Sequence, residues 1–138
     1  MNKSQWLHSF AGFDDFLGYL LIAAVLFAVF IAIYVRITPY REFALIRDGN
    51  RAAAYSLSGT VLGMVIPLSS AVEHSVNPID MAIWGFIALA VQLVVYALAR
   101  LALPNIAADI PAGKEASGIF LGAMSLAAGI LNAACMTT

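Results

Sequence analysis

Residues 16–35 read FLGYLLIAAVLFAVFIAIYV and contain no charged side chain. At 1.5 Å per residue, a helix of about 20 residues crosses a hydrocarbon core of roughly 30 Å. Because an unpaired backbone group in lipid costs several kcal/mol, such a stretch forms a helix rather than an open strand. The stretch therefore predicts a transmembrane helix.

Three further uncharged stretches of spanning length follow, at residues 52–72, 81–99 and 116–138. Over the whole chain of 138 residues, 62% of the side chains are hydrophobic and 11% are charged, whereas soluble domains carry roughly 25% charged residues. The sequence predicts an all-α integral membrane protein with four transmembrane helices in the lipid bilayer. We expect a single membrane domain over residues 1–138.

The flanks of the first span do not resemble those of a cleaved signal peptide. Asp14 and Asp15 precede it instead of a basic cluster, and Tyr34 and Arg36 stand where small residues would mark a cleavage site. We therefore expect this helix to be retained.

Basic residues predict the orientation of the chain. Of the seven Lys and Arg residues, six lie in the connections after the first and third spans, and the other lies in the N-terminal tail. The positive-inside rule places these two connections in the cytoplasm and both termini outside. No basic patch is large enough to indicate nucleic-acid binding.

The first basic connection carries signals for a short helix. Residues 38–39 (Thr-Pro) form a helix start, and residues 48–50 (Asp-Gly-Asn) form a stop. Between them, Tyr40, Phe43 and Ala44 share one helical face, which is typical of a short amphipathic helix on the inner membrane surface. An ordinary polar loop is the alternative. Residues 104–110 form a smaller counterpart in the second basic connection.

The two halves of the chain, residues 13–72 and 80–138, have the same order of features. Each contains a strongly apolar span, an arginine, a connection with a proline near its start and a span rich in small residues. Gly59 and Gly122 correspond at an offset of 122 − 59 = 63 residues. Either the halves are two parallel two-helix repeats, or the similarity reflects biased composition alone.

Glycines in the second and fourth spans are spaced for close helix packing. Small residues four positions apart let helix backbones approach each other in lipid. The packing contact joins the second and fourth helices of one chain, or it joins subunits of a homo-oligomer. The candidate packing residues are Gly59, Gly63, Gly118, Gly122 and Gly129.

A few polar residues within the spans and at their outer ends define a candidate polar path or outer mouth. The acidic and histidine side chains at the outer ends either bind a cation or an amine, or are solvated at the level of the lipid headgroups. Interhelical hydrogen bonds explain the deeper ones equally well. The candidates are Ser69, Ser70, Glu73, His74, Asp80, Gln92 and Asn132.

The sequence predicts no catalytic, cofactor or metal site. None of the predicted spans contains an acidic residue, which argues against a proton-coupled pump because such pumps relay protons through intramembrane carboxylates. A Glu-His pair without a second histidine or a cysteine is a weak zinc pattern. We therefore expect a protein that is not an enzyme.

Three short motifs stand out, at residues 58–63 (SGTVLG), 66–71 (IPLSSA) and 132–137 (NAACMT), together with residues 37–39 (ITP) after the first span. These motifs resemble those of the YjfL-like family of small bacterial inner-membrane proteins of uncharacterised function. The resemblance implies a multi-pass protein of the plasma membrane with a duplicated two-helix unit. It also implies a partner connected with membrane stress or polyamines, and it transfers no catalytic or binding residue.

Two functional hypotheses follow. The first is a non-enzymatic membrane subunit or scaffold that self-associates through its small-residue faces. The second is a small oligomeric channel or transporter for a small cation or polyamine, lined by Ser, Gln and Asn side chains. The absence of acidic residues from the predicted spans favours the first.

Overall fold

The computed structural model describes residues 2–136, and within that range every regular element is a helix. Four helices are long and apolar enough to cross a membrane: α1 (Lys3–Ile37), α3 (Arg51–His74), α4 (Pro78–Ala102) and α6 (Glu115–Cys135). The shorter helices α2 (Glu42–Arg47) and α5 (Ile106–Asp109) occupy the two basic connections. The predicted all-α fold with four transmembrane helices is confirmed. Residues 137 and 138, the end of the predicted fourth span, lie outside the described residues.

Helix α1 is considerably longer than the predicted first span. It begins at Lys3, so that 16 − 3 = 13 helical residues precede the uncharged stretch. A capping box starts it, because the Asn2 side chain accepts a hydrogen bond from the Gln5 amide and the Gln5 side chain accepts one from the Asn2 amide. The helix ends at Ile37. Thr38 follows and precedes Pro39, and a residue before proline disfavours the helical conformation.

Asparagines start two of the other spans. The side chain of Asn50 accepts a hydrogen bond from the Ala53 amide at the start of α3, and Asn77 does the same for the Asp80 amide in α4. The side-chain amide nitrogen of Asn50 also donates a hydrogen bond to the backbone carbonyl of Ile110 at 2.9 Å. This bond joins the two basic connections to each other.

The helices pack unequally. Helices α3 and α6 form the most extensive contact, α4 packs against both of them and against α1, and α1 lies at the periphery. The hydrophobic core is concentrated towards α2 and α5, a region that we call the basic end of the bundle. Its buried side chains include Phe30, Tyr34, Leu57, Tyr96, Ile110 and Leu121.

The short helix α2 is present, but its predicted apolar face is not a single buried surface. Tyr40 is buried against the bundle, whereas the side chain of Phe43 is 48% exposed. The residue of α2 that is completely buried is Glu42. The predicted short helix is therefore present, and the sequence analysis did not single out Glu42.

The order of a long helix, a short helix and a second long helix occurs twice along the chain. Gly49 and Gly113 stand at the same place in both halves, with φ of 85° and 79°. This left-handed conformation favours glycine and redirects the chain just before α3 and α6. The duplication stays a prediction from the sequence.

Candidate functional site

The backbones of α3 and α6 touch at the predicted packing glycines. A methyl group added to Gly59 would overlap the backbone of Gly122, and one added to Gly129 would overlap that of Gly63. Gly118 meets the backbone of Ala52 in the same way. The contact lies within one chain and leaves no room for a side chain at these glycines.

Beside this contact lies a buried group of polar side chains. The hydroxyl of Thr60 donates to the carbonyl of Ser56 at 2.8 Å, and its oxygen lies 3.4 Å from both the Tyr34 hydroxyl and the Ser125 hydroxyl. The side-chain amide of Gln92 donates to the Ser125 carbonyl at 3.1 Å. These bonds link α1, α3, α4 and α6 in the interior of the bundle.

The structure separates the residues of the predicted polar path. Ser69 and Glu73 are exposed. Gln92 belongs to the interior polar group, while the Asn132 side-chain nitrogen is buried with no hydrogen-bond partner among the described residues. The predicted residues therefore do not form one continuous line of polar contacts.

Three of the predicted residues do meet at the end of the bundle opposite α2 and α5. Ser70, His74 and Asp80 line a pocket of about 240 Å³ together with Trp84. Ser70 donates to the carbonyl of Ala133, and one carboxylate oxygen of Asp80 accepts from the Val76 amide at 3.1 Å. Both side chains thus have structural partners, and the carboxylate and indole are the groups that an amine would contact.

A second site, at the basic end, was missed by the sequence analysis. Glu42 is 0% exposed and lies among the side chains of Tyr34, Tyr40 and Tyr96. Neither carboxylate oxygen of Glu42 has a hydrogen-bond partner among the described residues, and the hydroxyls of Tyr40 and Tyr96 are likewise buried without one. The centres of the Tyr34 and Tyr96 rings are 5.1 Å apart, and the two rings pack edge to face. We call these four residues the Glu42 cluster.

Burial dominates the electrostatics of this cluster. It raises the pKa of Glu42 to about 8, because an ionised carboxylate loses its hydration there, while the hydroxyls of Tyr34 and Tyr40 act in the opposite direction. Burial also raises the pKa of Tyr40, and the neighbouring Glu42 adds to that effect. The arrangement therefore favours the neutral, protonated form of Glu42.

The sequence contains one signal that pointed to this site. Pro39 follows the end of α1 directly, so the chain turns back at once and residues 40–42 reach the bundle that α1 has just left. Tyr40 precedes Glu42 by two residues, and Tyr34 and Tyr96 sit near the ends of apolar spans. The sequence analysis did not name Glu42 as a candidate.

Comparison with known proteins identifies relatives along most of the chain. Residues 6–136 match the family described as Domain of Unknown Function (DUF350). The chain is 46% identical over 122 residues to the UPF0719 inner membrane protein YjfL of Escherichia coli K12, covering 88% of this chain and 92% of that protein. The protein of the same description from Escherichia coli O157:H7 matches equally. No solved structure matches the chain.

Proposed function

We propose that this chain, which belongs to the DUF350 family and is similar to an inner membrane protein over most of its length, is a non-enzymatic membrane subunit that self-associates through α1. The observation that carries this proposal is the exposure of the first part of α1. Trp6, Phe10 and Phe13 are 53%, 63% and 52% exposed, although they precede the stretch predicted to lie in the hydrocarbon core.

Geometry limits how far the membrane can cover this part of α1. At 1.5 Å per residue, a helix of 35 residues is about 52 Å long, whereas the hydrocarbon core is roughly 30 Å thick. To lie wholly within the core, the helix would need a tilt of about 55°, beyond the range of about 0–40° seen for membrane helices. The aromatic residues before Asp14 therefore need a surface other than the hydrocarbon core to shield them from water.

The exposed residues have the spacing of a helix-pairing surface. Trp6, Phe10, Phe13 and Leu17 follow one another at intervals of four, three and four residues, and polar His8 lies on the opposite side of the helix. This heptad spacing suits two parallel helices packed side by side. Two copies inserted with the same orientation bring their α1 helices together in parallel. We call these four residues the α1 seam.

The partner surface differs from the one expected from the sequence. The glycine faces of α3 and α6 contact each other within the chain, so they are not available to a second copy. Self-association through α1 leaves that contact intact. The close approach of α3 and α6 also supports a role that does not involve a substrate bound between these helices.

Cysteine crosslinking tests the proposal. In a Cys135→Ser background, Phe13→Cys places the thiol on the α1 seam, and His8→Cys places it on the opposite side of the same exposed segment. Mild oxidation in native membranes is expected to give a covalent dimer with Phe13→Cys and little with His8→Cys. Equal crosslinking of the two variants, together with a monomeric mass in lipid nanodiscs, would contradict the proposal.

The second candidate function is a cation or polyamine pathway. The pocket formed by Ser70, His74, Asp80 and Trp84 favours it, since a carboxylate and an indole ring attract an amine. Because α3 and α6 close the interior of one chain, the path would run between subunits. Flux of an inorganic cation or spermidine into proteoliposomes, reduced by Asp80→Asn and unaffected by Glu73→Gln, would support it over the scaffold role.

A further inference from the structure

We propose that Glu42 is a proton-binding site built into the basic end of the bundle, with the tyrosines of the Glu42 cluster as its surroundings. The proposal rests on the complete burial of the Glu42 carboxyl group and on its two oxygens, which lack partners among the described residues. It concerns a different part of the chain from the α1 seam and does not depend on self-association.

The fold holds Glu42 in this position from both sides. Glu42 is the first residue of α2, and Thr38, which ends α1, is tied back by a hydrogen bond from its hydroxyl to the Val35 carbonyl at 3.0 Å. A pocket of about 350 Å³ in the first basic connection has Thr38, Glu42 and Arg47 among its lining residues. Glu42 therefore lies beside a cavity of this connection, although its carboxyl group is buried.

No cation neutralises the carboxyl group within the described part of the chain. The side chains of Arg41 and Arg47 are exposed, and neither forms an ion pair with Glu42. The Arg100 guanidinium lies 5.9 Å from the centre of the Tyr96 ring, and Arg100 is exposed. An ionised carboxylate buried without a partner is costly, so a bound proton is the simplest way to remove its charge.

The titratable and charged groups around Glu42 are few. Tyr34 faces it from α1, Tyr40 from the connection, and Tyr96 with Arg100 from α4. Helix α3 contributes the uncharged hydroxyls of Ser56 and Thr60 to the same region. Since burial raises the pKa of Glu42 to about 8, the proton is held at neutral pH and released in mildly alkaline solution.

Loss of the proton has a structural consequence. An ionised Glu42 accepts hydrogen bonds strongly, and the hydroxyls of Tyr34 and Tyr40 are the nearest donors. The Tyr34 hydroxyl also lies 3.4 Å from Thr60 in the interior polar group. A Tyr34 hydroxyl that donates to the carboxylate would lie between Glu42 and Thr60, so the charge of Glu42 is linked to the interior polar group between α1 and α3.

Infrared titration of the purified protein in lipid nanodiscs tests the assignment. A protonated carboxyl group has its own C=O stretching band, which is expected to disappear with a midpoint near pH 8 in the wild type. The band should be missing at neutral pH in Glu42→Gln and unchanged in Glu73→Gln, whose carboxyl group is exposed. A band that persists in Glu42→Gln, or a midpoint below about pH 6, would overturn the proposal.

A second variant keeps the test decisive if Glu42→Gln does not fold. The Tyr34 hydroxyl stabilises the ionised form of Glu42, so Tyr34→Phe should move the midpoint of the band to higher pH. A merely structural role of Tyr34 would lower stability without moving that midpoint. An unchanged midpoint in a folded Tyr34→Phe protein would remove the Glu42 cluster as the origin of the signal.

The same site predicts how stability depends on pH. The pKa of Glu42 is higher in the folded protein, at about 8, than the ordinary value of 4.5. The stabilisation from the bound proton is therefore complete below pH 4.5 and is lost as the pH rises through 8. The unfolding temperature of the wild type should fall across this interval relative to Glu42→Gln. Parallel curves for the two proteins would contradict the buried carboxyl assignment.

Discussion

At Gly59 and Gly122, the backbones of α3 and α6 meet with no side chain between them. Gly59→Ala is therefore expected to push the two helices apart and to destabilise the protein by about 1–3 kcal/mol. Gly18→Ala is the matched control, because an added methyl group there meets no atom within 4 Å. Thermal unfolding in a mild detergent should show a clear loss for Gly59→Ala and almost none for Gly18→Ala. Equal melting temperatures would show that this close approach is unimportant.

The packing glycines could be selected from the sequence by residue type and spacing. The surface that they contact could not. Spacing indicates that a helix has a small-residue face, and it does not indicate whether that face meets the same chain or another one. Glu42 was beyond reach for a different reason. Its burial depends on the turn at Pro39 and on tyrosines that are distant in sequence, such as Tyr96, and charge alone places such a residue in solvent.

Helices α3 and α4 begin with asparagine caps that differ in one respect. Asn50 caps α3 and also donates to the Ile110 carbonyl, whereas Asn77 only caps α4. Loss of a cap costs about 1 kcal/mol, and loss of the additional hydrogen bond costs roughly another 1 kcal/mol. Asn50→Ala should therefore destabilise the protein more than Asn77→Ala.

The variant Asn50→Asp separates the two contributions at this helix start. Aspartate keeps the acceptor that caps α3 but has no N–H to donate to the Ile110 carbonyl. Its unfolding temperature should lie between those of the wild type and Asn50→Ala. If Asn50→Ala and Asn77→Ala melt together, the link between the two basic connections contributes nothing to stability.

The four spanning helices were predictable because lipid requires long uncharged stretches, and those are visible in any sequence. The true length of α1 was not, since the search for an uncharged stretch ended at Asp15 while the helix continues to Lys3. Acidic residues do not end a helix whose first turn is capped earlier in the sequence. Here Asn2 and Gln5 form that cap. The surface proposed for self-association lies entirely in or beside this unpredicted part.

Over the whole molecule, packing becomes denser from the start of α1 towards the basic end. The core, the bond between the two connections and the Glu42 cluster all lie at the basic end, whereas the first half of α1 has almost no contact with the rest of the chain. The two proposals thus use opposite regions. Association through α1 concerns the end that lacks internal partners, and proton binding concerns the end where packing is densest.

The orientation of the chain decides which compartment each region meets. Helices α1, α3, α4 and α6 are four candidate spans, so we expect the start of α1 and the end of α6 on one side of the membrane. Six of the seven basic residues lie in the connections at the other side, and the positive-inside rule assigns that side to the cytoplasm. We therefore expect the α1 seam to face the periplasm and the Glu42 cluster to sense cytoplasmic pH.

Single-cysteine labelling of whole cells tests this orientation. With Cys135 replaced by serine, Ser4→Cys lies at the start of α1 and Asp48→Cys lies in the first basic connection, and both positions are exposed. A membrane-impermeant maleimide should label Ser4→Cys in intact cells and Asp48→Cys only after the inner membrane is opened. The reverse pattern would place Glu42 on the periplasmic side, where its proton would exchange with the external medium. Its infrared midpoint in purified protein would be unaffected, so the orientation and the proton site are tested separately.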